Sequence, residues 1–178
     1  MAQTATIYNL TIDLSDVDRG IYEKFDLRIA RQPSETAEYM LVRVLAYCLE
    51  YKEGITLTEG VASGNEPAIL VRDMTGQITA WIEVGLPDPA RLHRGSKLAG
   101  RAAVYTHRGR LLLSQLAGSK IHNSEDVPIY ALDTAFIEDV AKLLDRRSEI
   151  GLSVTEQQIY LTIAGRDFTT AIENHRIS

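Results

Sequence analysis

Cysteine is almost missing from this chain: Cys48 is the only one in 178 residues. One thiol excludes an internal disulfide framework and any multi-thiolate zinc or iron–sulfur centre built from this chain alone. Tryptophan is equally rare, with Trp81 alone. No run approaches the roughly 20 apolar residues that cross a bilayer. The opening residues from Met1 to Tyr8 lack the basic head and apolar core of a secretory signal, and neither end carries a lipidation motif. These absences lead to the expectation of a cytoplasmic protein with no membrane association. No Gly-x-x-x-x-Gly-Lys-Ser/Thr loop and no Gly-x-Gly-x-x-Gly turn occurs; the stretch Gly95 to Gly100 lacks the Lys-Ser/Thr that a phosphate loop needs. His93, His107, His122 and His175 show no short metal-ligand spacing. No Gly-x-Ser-x-Gly elbow offers a nucleophile.

What is present is an ordinary globular composition, 45% apolar and 24% charged. Enough apolar material exists to offset chain entropy, so the chain folds. Its length fits a single domain over residues 1–178. Nineteen basic residues face 24 acidic ones, a net charge of −5. That balance argues against a protein coating duplex nucleic acid with its whole surface, and it leaves room for a local basic face. The acids are unevenly spread. From Pro89 to Ser124 there is none, while Arg91, Arg94, Lys97, Arg101, Arg108, Arg110 and Lys120 fall in that stretch.

Periodicity predicts the elements. Two β-like runs around the polar Ser15-to-Gly20 segment read as an antiparallel hairpin. Ser34 reads as the cap of a helix from Glu35 to about Tyr51, with Met40, Leu41, Val44, Leu45 and Cys48 on one apolar stripe. Cys48 reads there as a small buried hydrophobe. A second hairpin spans Ala68 to Val84 around Thr75-Gly76. Asp88-Pro89 opens a helix to about Ala99, weakened by Gly95. Ala102–Tyr105 reads as a strand, Arg110–Ala117 as a helix ended by Gly118, and Val127–Leu132 as a strand. Asp133 caps a helix through Leu144, and a last hairpin turns at Ala164-Gly165. Helix and strand alternate in the middle, which predicts parallel strands with crossovers. The fold class is therefore α/β, with a mixed central sheet flanked by helices and β-hairpins at both chain ends.

The hairpin register places Ala68 opposite Glu83 and Asp73 opposite Ile78. Glu66 then converges with Glu83, while Asp73 lies about five residues, or ~17 Å, away. Glu83 sits in an apolar strand, so its carboxylate needs a partner. That partner is either a metal or a structural one such as arginine or backbone amides. Glu35 and Glu38 are neighbours at the helix opening, suited to capping or to joining a site. A basic lane beside a carboxylate cluster suits a metal-dependent enzyme acting on a polyphosphate chain. Solvated basic helix charges paired with acids elsewhere would leave the same pattern.

Pro33-Ser34-Glu35-Thr36 before a long helix, Glu66-Pro67 before a strand, and Trp81-Ile82-Glu83-Val84-Gly85-Leu86-Pro87-Asp88 before a basic helix and Val104-Tyr105-Thr106 resemble the YaeQ family of bacterial proteins. The resemblance runs through essentially the whole chain. It implies a variant of the PD-(D/E)XK nuclease fold, also called restriction-endonuclease-like. That pattern has an acid on the first helix, an acid at the start of the second core strand, and acid-x-Lys on the third. Glu35 or Glu38, then Glu66, then Glu83 match it, and Gly85 stands at the lysine position. The implied activity is a metal-dependent phosphodiesterase acting on nucleic acid. Glu66, Glu83 and Lys97 are its catalytic set, with Arg94 the alternative to Lys97. Mg²⁺ or Mn²⁺ would be held by Glu66 and Glu83 with Glu38 or Glu35. Arg91, Arg94, Lys97 and Arg101 would grip the nucleic acid. The alternative is a catalytically inactive nuclease-fold protein that binds nucleic acid or a transcription-related partner. An interaction protein whose acids are structural is the third reading.

Overall fold

The structure, a computed structural model, describes residues 4–59 and 65–177. The chain opens with β1 (Thr6–Asp16) and β2 (Ile21–Arg31), followed by α1 (Ala37–Leu49), β3 (Ile55–Leu57), β4 (Ile69–Arg72) and β5 (Ile78–Val84). Next come α2 (Pro89–Leu98), β6 (Arg101–Thr106), α3 (Gly109–Leu116), β7 (Pro128–Ala131) and α4 (Thr134–Ala141). Strands β8 (Arg147–Thr155), β9 (Gln158–Ile163), β10 (Arg166–Ala171) and β11 (Glu173–Arg176) complete the described elements. The fold is mixed α/β. In place of one central sheet there are two, ordered β10-β9-β8-β1-β2 and β11-β7-β6-β5-β4-β3. The residues cluster into two compact units. The first comprises the chain up to Leu41 with Asp133–Ile172, the second Val42–Leu132 with the segment from Glu173.

In the first unit, β1 and β2 form the expected antiparallel hairpin, from Thr6↔Arg31 to Asp16↔Ile21. Leu10, Ile12 and Leu14 are buried, and Asp13 between them is exposed, the period of two that a one-sided sheet requires. The central partner of β1 is β8, running parallel to it from Asn9↔Arg147 to Asp16↔Val154. This parallel pairing joins the first two strands to β8, β9 and β10 in one sheet, while the last strand, β11, pairs with β7 in the other. The expected turn at Ala164-Gly165 joins β9 to β10. A further turn, Glu156-Gln157, joins β8 to β9, and it contains no glycine. Both residues are left-handed, with φ 51° and 64°, a conformation costing side-chain-bearing residues about 1 kcal/mol or more each. The Asp18 carboxylate offsets that cost by accepting both turn N–H groups, at 2.7 and 3.0 Å. Asp133 caps α4 as expected, accepting from the Phe136 N–H at 3.0 Å. The helix ends at Ala141 rather than Leu144.

The second unit contains the predicted crossovers. Strands β5, β6 and β7 are parallel, linked through α2 and α3. Leu92 of α2, Ala99 just after it, and Leu112 and Leu116 of α3 pack with Trp81, Ala102, Val104 and Ile129 in one core cluster. Each fully buried leucine contributes roughly 1.5–3 kcal/mol. The hairpin of β4 and β5 keeps the expected register through Ile69↔Ile82 and Val71↔Ala80. A bulge then makes Arg72, not Asp73, the partner of Ile78. Asp73 instead braces the turn, accepting from the Thr75 hydroxyl at 2.6 Å and from two backbone N–H groups.

Helix α1 buries the predicted stripe, including Cys48. Its cap is Thr36 rather than Ser34: the Thr36 hydroxyl accepts from the Tyr39 N–H at 3.1 Å. In α2 the glycine that weakens the helix has a packing reason. A Cβ on Gly95 would overlap the Trp81 indole, so only glycine lets the helix lie against that ring. Gly95→Ala should therefore destabilise by about 1–3 kcal/mol, overcoming alanine's helix advantage of ~1 kcal/mol. Gly100→Ala, where the nearest atom is 3.9 Å away, should stay within about 0.5 kcal/mol of the parent. Urea denaturation of the two variants checks this.

Candidate functional site

Strand β5 alternates its side chains, so Trp81 and Glu83 share a face. Both are buried. The chain leaves the strand through Gly85, whose φ of 86° lies in the left-handed region and whose N–H donates to the Tyr105 carbonyl at 2.9 Å. A lysine at this position would be strained, because its Cβ disfavours that conformation. Asp88 is extended and Pro89 starts α2, so the helix begins where the sequence predicts. The Asp88 side chain makes no capping bond. Arg91 then falls in the first turn of α2, where a cation opposes the helix dipole.

Glu83 is what holds Arg91 there. Arg91 Nε donates to Glu83 Oε2 at 2.9 Å and Nη2 to Oε1 at 3.3 Å, a two-pronged contact. The Trp81 indole N–H reaches Glu83 Oε2 at 3.3 Å. The same Nη2 donates to the Glu66 carbonyl at 2.6 Å. One guanidinium thus ties the strand carboxylate to the main chain ahead of β4. Both oxygens of Glu83 already accept hydrogen bonds, and the cation beside them is Arg91. A divalent ion has to displace that guanidinium to reach Glu83, so the donor set as arranged does not fit a metal.

The other candidate residues are placed as follows. Glu66 is half-buried and joins the cluster through its main chain. Arg94 and Lys97 are exposed on α2. Six residues separate Lys97 from Arg91, so its Cα lies roughly 9 Å farther along the helix. In the first unit, Glu35 is buried, its Oε1 accepting from the Gln32 N–H at 3.1 Å and its carbonyl from Arg31 Nε at 2.9 Å. Glu38 is half-buried in the first turn of α1.

Arg101 serves elsewhere in the second unit, in a cluster that sequence reasoning did not find. Its Nε and Nη2 each donate to the Glu50 carboxylate at 2.9 Å. The Tyr105 hydroxyl donates to the same carboxylate at 2.6 Å, and the Tyr130 ring stacks near Tyr105 at 4.8 Å between centroids. Hydrogen bonding to Glu50 pushes the Arg101 pKa up. Burial, and then the Glu50 charge, push the Tyr105 phenol well above its usual value. These partners lie 51 and 55 residues apart in sequence, and no local spacing connects them.

The family model described as YaeQ protein matches residues 1–172. The chain belongs to the YaeQ family. It is 31% identical over 164 residues to the uncharacterized protein YaeQ of Escherichia coli (strain K12), covering 91% of each. The Salmonella typhi YaeQ protein is 30% identical over 166 residues, with 92% of each covered. Two solved structures share the fold. The YaeQ protein from Pseudomonas syringae superposes with a TM-score of 0.86 at 29% identity, covering 99% of this chain and 98% of that one. The YaeQ protein from Xanthomonas axonopodis pv. citri gives 0.87 at 24% identity, covering 98% and 100%. Among the described residues, no helix is long and apolar enough to cross a membrane.

Two measurements follow from this geometry. Arg91→Ala leaves a buried carboxylate with its main partner gone and should cost about 3 kcal/mol. Replacing both members together, Arg91→Met with Glu83→Leu, should recover most of that loss, and a double-mutant cycle in denaturant reads the coupling. The second concerns pH. An unfolded tyrosine ionises near pH 10, whereas folded Tyr105 holds its proton to higher pH. Its contribution is intact below about pH 10 and is lost as pH rises above that. Tyr105→Phe should flatten the alkaline fall in melting temperature relative to the parent.

Proposed function

We propose that this YaeQ protein is a nuclease-like domain that binds nucleic acid without cutting it. One observation carries the reading: the carboxylate at the motif position, Glu83, is neutralised by Arg91 rather than left free for an ion. Gly85 adds to it, since the backbone at the lysine position is left-handed. The nuclease-like part is supported by chain order. Helix α1, strands β3, β4 and β5, helix α2 and strand β6 follow in succession, with β3, β4 and β5 antiparallel and β6 parallel to β5. Glu66 precedes the second of those strands and Glu83 lies near the end of the third, where the nuclease pattern has its acids. The nucleic-acid part is supported by the acid-free, cation-rich stretch from Pro89 to Ser124.

Glu83 and Arg91 act here as a structural pair that fixes the start of α2. Hydrolysis with Mg²⁺ or Mn²⁺ is the competing reading, and it makes opposite demands. If the pair is structural, Glu83→Gln is less stable than the parent with or without added ion. The parent's melting temperature should then not move when either ion is added in millimolar amounts. A metal site predicts a gain in stability that Glu83→Gln removes, about 2.7 kcal/mol at a hundredfold excess over the dissociation constant. Calorimetry with and without Mn²⁺, beside an assay of single- and double-stranded substrates for cleavage, separates the two. Metal-dependent cutting that Glu83→Gln abolishes overturns the proposal.

A further inference from the structure

The two helices that cover one face of the second unit's sheet present an outer surface with a single sign of charge. On α2, Leu92 and Gly95 face inward, and Arg94 and Lys97 are exposed. On α3, Leu112 and Leu116 face inward, and Arg110 is exposed, with Arg108 exposed at its N-cap. The segment after α3 is tied to α2. The His122 N–H donates to His93 Nδ1 at 3.0 Å, and the Ser96 hydroxyl donates to the His122 carbonyl. Exposed Lys120 lies two residues before that link. The layer is therefore continuous from α2 through this segment to α3, and every residue of it lies within the acid-free stretch. The charge is also lopsided at larger scale. The first unit carries 14 acids against 8 bases, the second 10 acids against 11 bases. Two of the four cations expected to grip the nucleic acid are committed elsewhere, Arg91 to Glu83 and Arg101 to Glu50.

We infer that the outer face of α2 and α3 is the docking surface for nucleic acid, contacted through its phosphates by Arg94, Lys97, Arg108, Arg110 and Lys120. The inference rests on the nucleic-acid reading above and moves the contact from the Glu83 end of β5 to the helical layer. Side chains of this kind on an open helical face neutralise phosphates and read no base edges. Binding is then indifferent to sequence and strongly dependent on salt. Five neutralised phosphates give a log–log salt slope of roughly −4.5 on duplex, a loss of about 10²–10³ in affinity between 50 and 200 mM salt.

The test is fluorescence anisotropy of a labelled DNA duplex with the full chain, across that salt range. The parent is compared with the variant carrying Arg94→Glu, Lys97→Glu, Arg110→Glu and Lys120→Glu. All four positions are exposed, and circular dichroism confirms that the variant folds; the same four changed to Gln serve if it does not. The surface predicts a loss of more than about tenfold for the reversal, equal across unrelated sequences, with a shallower salt slope. If the parent binds and the folded variant binds equally well, the surface is wrong and the nucleic-acid reading stands with its contacts elsewhere. If the parent binds no nucleic acid at low salt, both fall. Binding to phosphatidylglycerol vesicles in place of nucleic acid also overturns both, and the exposed Leu98 and Leu111 on the same layer make that control necessary.

Discussion

A buried carboxylate beside a helix start is the constraint around which the second unit is arranged. Glu83 lies in an apolar strand, where an isolated charge is expensive and a paired one is tolerable. Arg91 meets it with a planar fork that matches both oxygens, a geometry lysine does not offer. The consequences spread outward from that contact. The first turn of α2 is fixed, the main chain at Glu66 is drawn to the same guanidinium, and the indole of Trp81 is oriented by its bond to Glu83. The indole then dictates a glycine at position 95. A helix that local propensity disfavours is thus held by packing and charge.

The first unit follows a different economy of interactions. Its sheet is sealed by pairing strands from the two ends of the chain, so β1 finds β8 more than a hundred residues away. Asp18 shows how such a sheet is completed. A carboxylate in one turn supplies acceptors for two N–H groups in another, and those bonds support two left-handed residues that lack glycine's freedom. Asp16, buried and paired to Arg19 at 2.7 Å, does the same within its own turn.

Elements governed by local periodicity were legible in the residues: the first hairpin, the α1 stripe, the Asp88-Pro89 helix start, the parallel crossovers and the Asp133 cap. What was not legible depended on distant pairing. The Glu156-Gln157 turn carries no glycine signal because its stabilising group is Asp18. The division into two sheets depends on β1 choosing β8. At the candidate site, Glu83 could be recognised as a carboxylate in need of a partner, but seven cations lie in the acid-free stretch after it and nothing in their spacing selected Arg91. Glu50 was missed for the same reason. It ends a helix unremarkably, and only the folded sheet brings Arg101 and Tyr105 to it.

The placement of Trp81 has an optical consequence. As the chain's one indole it lies wholly within the second unit, buried at 2% exposure beside a carboxylate and under Gly95. Intrinsic emission excited at the indole band is therefore a signal from the second unit alone, blind to the five-stranded sheet. Far-ultraviolet dichroism reports strands of both sheets together. Superposed unfolding curves from the two signals would mark the chain as one cooperative system, and separated curves would show each sheet melting with its own free energy.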